Sequence, residues 1–187
     1  MKKAHWFTLM AFILVCSLLV IMMNSKQSHV VPEITLKVGN DDISSTLKSR
    51  TLEDPADFED ASLFRSIMND PAITIPYVKL GETVHISLHP KPKSFEVRES
   101  ILLTDGDFKY KRQPAQQQPV TLNFNDNENE ATFTLNENVF ALLSSNSQDY
   151  QPGGTIRGFR LVCKWEDRTQ EYAFVIKTDA HKPSTAK

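Results

Sequence analysis

Side chains capable of acid–base, metal or nucleophilic chemistry are few here, and their spacing argues against each of those uses. Of the five histidines, only His85 and His89 share an element. In an extended chain, residues four apart lie on one face but about 13 Å apart, too far to hold one metal ion. Thr83 and Ser87 share that face, opposite Val84, Ile86 and Leu88, which marks it as the solvent side. The run Asn125 to Glu130 (NDNENE) places oxygens at alternate positions in the manner of a calcium loop. It lacks the sixth-position glycine, and Asn136 stands where a bidentate glutamate is needed, so it reads as a polar turn. No G-x-S-x-G, H-E-x-x-H, P-loop or G-x-G-x-x-G pattern occurs. The expectation is a chain with no catalytic residues, no cofactor and no metal.

Cys163 lies in Phe159-Arg160-Leu161-Val162-Cys163-Lys164-Trp165, on the strand face that carries Phe159, Leu161 and Trp165. A thiol among such neighbours is expected to be core, with a raised pKa. The other cysteine, Cys16, falls in an apolar run that reads as membrane-embedded, which excludes a disulfide between them. The alternate face of the same strand carries Arg160 and Lys164 around Val162, and alternation places them toward solvent. Lys109, Lys111 and Arg112 flank Tyr110 on a hairpin, and Lys91 and Lys93 border a proline-rich bend. These six residues, Arg160, Lys164, Lys109, Tyr110, Lys111 and Arg112, form the candidate binding patch, suited to an anionic wall polymer or an acidic partner surface. Solubilising surface charge is the alternative reading of the same residues.

Ala4 to Met23 contains no Asp, Glu, Lys or Arg. At 1.5 Å per helical residue such a run spans the hydrocarbon core of about 30 Å. Lys2 and Lys3 precede it, so the positive-inside rule predicts a signal-anchor at 4–23 with residues 1–3 cytoplasmic and the rest outside the cell. A cleaved signal peptide would have a shorter apolar core and a small-x-small site; the run ends instead in Met22-Met23-Asn24-Ser25. The expected location is the cell membrane, as a single-pass protein.

Outside the span, 24–32 reads as a stem, 33–179 as one domain and 180–187 as a disordered tail. Of 187 residues, 40% are hydrophobic and 24% charged, a balance that suits a globular domain rather than a disordered one. Net charge is −2, more acidic still without Lys2 and Lys3, which argues against nucleic acid as a partner. Ile34, Leu36 and Val38 alternate with Glu33, Thr35 and Lys37, as in a half-buried strand. Residues 41–60 form an acidic connection. Asp54-Pro55 reads as a helix start, and Phe58, Ala61, Phe64, Ile67 and Met68 follow at helical spacing, predicting a short helix over 55–68 that plugs one end of a sheet.

From Ile73 the pattern is β: strands at 73–80, 82–89, 95–104, 120–124, 131–135, 156–165 and 171–177. Asp105-Gly106 serves as a hairpin turn. Eight or nine short strands with turn signals every 8–12 residues predict a mainly β protein, an immunoglobulin-like antiparallel β-sandwich preceded by one transmembrane helix.

Three stretches carry a resemblance. Ile34-x-Leu36-x-Val38-Gly39 with Ile43, Val78-x-x-Gly81-Glu82-x-Val84-x-Ile86 with Pro90-x-Pro92, and Arg157-Gly158-Phe159-Arg160-Leu161 with Tyr172-x-Phe174 resemble uncharacterised membrane-anchored extracytoplasmic proteins of Gram-positive bacteria. The Tyr-Cys-Trp segment frequent in that group after the first strand is replaced here by Ser45 to Thr51. The resemblance implies location and fold and assigns no catalytic or ligand residue. The expected function is a membrane-tethered extracytoplasmic binding or assembly module. A wall-polymer or carbohydrate-binding sandwich is the alternative, and a cleaved, secreted sandwich protein the third reading. Contact with another envelope protein and attachment through 4–23 are the expected partnerships.

Overall fold

Val84, Ile86 and Leu88 are buried while Thr83, His85 and Ser87 between them are half-exposed, so β4 (Thr83–His89) buries one face and wets the other. The same alternation shapes its neighbours β1 (Glu33–Val38) and β8 (Glu130–Thr134), both antiparallel to it. The computed structural model describes residues 32–52, 60–113, 115–125 and 129–182. Contacts divide the chain into Met1–Val31 and Pro32–Lys187. No helix among the described residues is long and apolar enough to cross a membrane; the span expected at 4–23 lies outside them.

The described domain is mainly β, with two antiparallel five-stranded sheets. The first runs β2 (Asp41–Asp42), β1, β4, β8, β7 (Asn123–Phe124). The second runs β3 (Lys48–Leu52), β10 (Thr169–Thr178), β9 (Thr155–Lys164), β5 (Ser94–Leu102), β6 (Gln118–Pro119). Leu36, Val84, Ile86 and Phe133 from the first sheet meet Val97, Phe159, Leu161, Cys163, Phe174 and Ile176 from the second in one core. Phe159 stacks on Phe174 with ring centroids 4.9 Å apart. Short crossings join the sheets at both sides, through 43–47 between β2 and β3 and through 120–122 between β6 and β7.

Part of the second sheet, along β10, β9 and the end of β5, is covered on both faces. Helix α1 (Ser62–Met68) lays Leu63, Phe64 and Ile67 on its outer face, against Leu102, Phe108, Ile156, Ala173 and Val175. Two glycines make this approach possible. A Cβ on Gly106, which turns the β5 hairpin at φ +88°, would come within 2.7 Å of the Arg65 backbone. A Cβ on Gly158 would come within 2.7 Å of Leu102 Cδ1 and 2.8 Å of Phe64 Cε1. The helix therefore lies flat on a sheet rather than plugging an end. Its expected first residues, including Pro55 and Phe58, lie outside the described ones.

Strand β3 has no counterpart in the sequence reading, which ran an acidic connection through it. It pairs with β10 along 48–52 and completes the sheet. Of the stretch expected as a strand at 73–80, the ladder keeps a single parallel bridge, Tyr77 to Lys177.

Candidate functional site

On β9, residues 157 and 160 fall on opposite faces, and each arginine meets a buried glutamate. Arg160 is 1% exposed, which corrects its expected place toward solvent. The alternation was right about the face; α1 and Asp60 ahead of it cover that face. Arg160 Nε lies 2.6 Å from Glu171 Oε1, and Arg50 Nε on β3 lies 2.5 Å from the other oxygen, Oε2. Arg50 Nη1 reaches Asp60 Oδ2 at 3.1 Å, and Arg160 Nη2 donates to the Asp60 carbonyl. The Arg160 guanidinium also stands 5.6 Å from the Phe64 ring centroid. Burial, opposed by the Glu171 carboxylate, pulls this guanidinium below its ordinary pKa. The group fastens β3, β10 and the approach to α1 together.

The rest of the expected patch is dispersed. Lys109 Nζ bonds Ser144 Oγ at 2.7 Å and pairs with Asp149, while burial lowers its pKa. Tyr110 donates its hydroxyl to the Phe140 carbonyl at 2.6 Å, and the two rings lie 6.0 Å apart. Lys109 and Tyr110 thus hold the segment 138–150 against the hairpin. Lys111 and Arg112 are exposed beyond it, with Lys111 bordering a shallow hollow beside Asp60, Arg65 and Asp107. Lys164 is exposed at the last residue of β9. The six residues do not form one surface.

What the structure does bring together lies along the side where β6 and β7 end the two sheets. The crossing residues 119–123 run between two hollows that share Pro119 and Val120. One, about 420 Å³, is mostly apolar, with Phe95, Val97, Leu122 and the 49%-exposed Phe124 beside Glu96, Arg98 and Gln117. The other, about 460 Å³, is polar. Its inner wall is the second buried pair. Arg157 Nε and Nη2 meet the two oxygens of Glu99 at 2.8 and 2.7 Å, Asn138 Nδ2 donates to Oε1 at 2.5 Å, and Arg157 Nη1 donates to the Asn136 carbonyl at 2.8 Å. Such bidentate pairing consumes both charges and fixes the wall. Gln118, Thr121, Asn123, Thr134 and Asn136 complete the lining.

Sequence reasoning missed this groove because its parts come from β5, from β6 and β7 with the crossing between them, from β8 and the segment after it, and from Arg157 on β9. The one local signal was Gln116-Gln117-Gln118 beside Pro119, amides crowded at a sheet crossing. The four histidine and cysteine residues outside residues 1–31, His85, His89, Cys163 and His181, gather into no metal-type cluster: among the described residues no three His, Cys, Asp or Glu side chains converge. Compared with protein-family models and with curated proteins, the sequence matches none of them.

Proposed function

We propose that this chain is a non-catalytic binding module, immunoglobulin-like in fold, held outside the cell membrane by an anchor at 4–23, with the side groove around residues 119–123 as its binding site. The fold reading is supported by strand order. β1-β4-β8-β7 facing β6-β5-β9-β10 corresponds to A-B-E-D over C′-C-F-G. The anchor reading is supported by the uncharged run from Ala4 to Met23 behind Lys2 and Lys3.

One observation carries the binding reading. The groove joins an apolar half to a polar half whose inner wall is a fully paired, buried Arg157–Glu99–Asn138 network. Pre-formed concave sites of this kind, a few hundred Å³ with a few fixed polar groups, are the usual places for ligands. Two measurements test it in the full chain. Protease added to intact, wall-stripped cells should digest the domain; a shortened soluble form in the medium would remove the anchor from the reading. Thr121→Trp fills the mouth of the groove from an exposed crossing residue. It should abolish chemical crosslinks to envelope components while leaving Tm unchanged. Crosslinks that survive it place binding elsewhere.

A further inference from the structure

We infer that the polar half of the groove takes a neutral, polyhydroxylated ligand, a segment of glycan chain, rather than an anionic polymer; this rests on the groove being the binding site. Charge comes first. Besides the Arg157 guanidinium, whose charge Glu99 balances, the lining holds one further charge, the carboxylate of Glu137. That guanidinium is spent on Glu99 and on the Asn136 carbonyl, so it offers an anion little. An anionic chain entering here meets a surface of its own sign.

The uncharged lining has a different character. Gln118, Thr121, Asn123, Thr134 and Asn136 bring amides and hydroxyls, each able to donate and accept. Ring hydroxyls need both at once. Gln118 Nε2 is buried with no hydrogen-bond partner among the described residues, a donor whose capacity is unmet on this wall. Pro119, Val120 and the 59%-exposed Val139 supply apolar surface for the C–H faces of a sugar ring. The apolar hollow beyond the crossing extends the site lengthwise, which suits a chain more than a single sugar.

An extended peptide adding to the sheet edge fits poorly. β6 and β7 are two residues each, and β6 contains Pro119, which has no N–H to give. Recognition on this side falls to side chains.

The test uses the full chain in lipid nanodiscs, with cellohexaose and chitohexaose as neutral probes and poly(glycerol phosphate) as the anionic one. A neutral hexamer should bind, with a Kd that changes little between about 0.05 M and about 0.5 M salt. Asn123→Ala with Asn136→Ala, both exposed side chains, should weaken it about tenfold without shifting Tm. Hexamer binding that ignores this double variant overturns the assignment. So does salt-sensitive binding of poly(glycerol phosphate) alone; if Thr121→Trp blocks it, the groove remains the binding site and its ligand class changes. Failure of every probe while Thr121→Trp still removes envelope crosslinks overturns the glycan and keeps the groove. Failure of every probe with crosslinks intact overturns both.

Discussion

Arg157 and Arg160 sit three residues apart on one strand, each against a buried glutamate, and they serve different ends. Arg160–Glu171 lies beneath α1 on the outer face, tied to Arg50 and Asp60, and holds secondary-structure elements together. Arg157–Glu99 lies at the side of the sandwich, beside a hollow of about 460 Å³, and stiffens the wall of a groove. The same chemistry is a fastening where another layer covers it and the wall of a groove where none does. Residue type and alternation do not distinguish the two; the cover does.

Charge reversal at Arg160 breaks the comparison most forcefully. Arg160→Glu with Lys164→Glu would have been harmless on a solvated face. Beneath α1 it sets a new carboxylate against buried Glu171 and should cost about 3–5 kcal/mol, read as a large loss of Tm. An unchanged Tm would mean that the cover over this face is absent in solution. Gly158→Ala attacks the cover itself. Its methyl group meets Leu102 and Phe64 at under 3 Å, and about 3 kcal/mol is expected in chemical denaturation. A neutral result would show that α1 stands off the sheet.

Cys163 probes the core between the sheets. Burial pushes its thiol up to about 12, and burial likewise pushes the Tyr172 hydroxyl up to about 12. Both groups hold their protons more tightly folded than unfolded, so their contribution is intact below pH about 9 and is lost as pH rises toward 12. Tm should therefore fall through that window, less steeply in Cys163→Ala. In the native domain the thiol should resist alkylation at pH 8 and react once unfolded. Cys163→Ser, which buries a hydroxyl in place of the thiol, should cost about 1–2 kcal/mol. Rapid labelling of the folded domain would contradict its burial. The smallest effect belongs to Lys111→Ala with Arg112→Ala, exposed on the hairpin. Tm and groove binding should both stay at the wild-type value; a loss of binding would restore part of the dispersed patch.

Period-2 patterning made most of this architecture legible. Glu33–Val38 is read to the residue, and β4, β8, β9 and β10 fall within two residues of their expected limits. The turn at Asp105-Gly106 was legible because glycine alone adopts its positive φ cheaply. What stayed hidden has a common physical origin. β3 reads Lys-Ser-Arg-Thr-Leu, with little to mark it as strand, because its partner β10 supplies the ladder and Arg50 is fastened from outside by Glu171. The burial of Arg160 was hidden because a charged residue on a strand is ordinarily wet, and only the tertiary placement of α1 reverses that. The groove was hidden because four separated stretches, 95–99, 117–124, 133–139 and Arg157, build it.

The layer formed by α1 has a consequence for how the molecule opens. Amides of β9 and β10 are shielded by a sheet on one side and a helix on the other, so their protons should exchange with deuterated water only when the whole domain unfolds. The two-residue strands β2, β6 and β7 have no such double shield and should exchange through local fraying. Exchange rates would then be slowest in the middle of the second sheet and fastest along both sides of the sandwich. The crossing at the mouth of the groove would lie in the quickly breathing zone, while the Arg157–Glu99 wall keeps the shape of the double-covered strands that carry it.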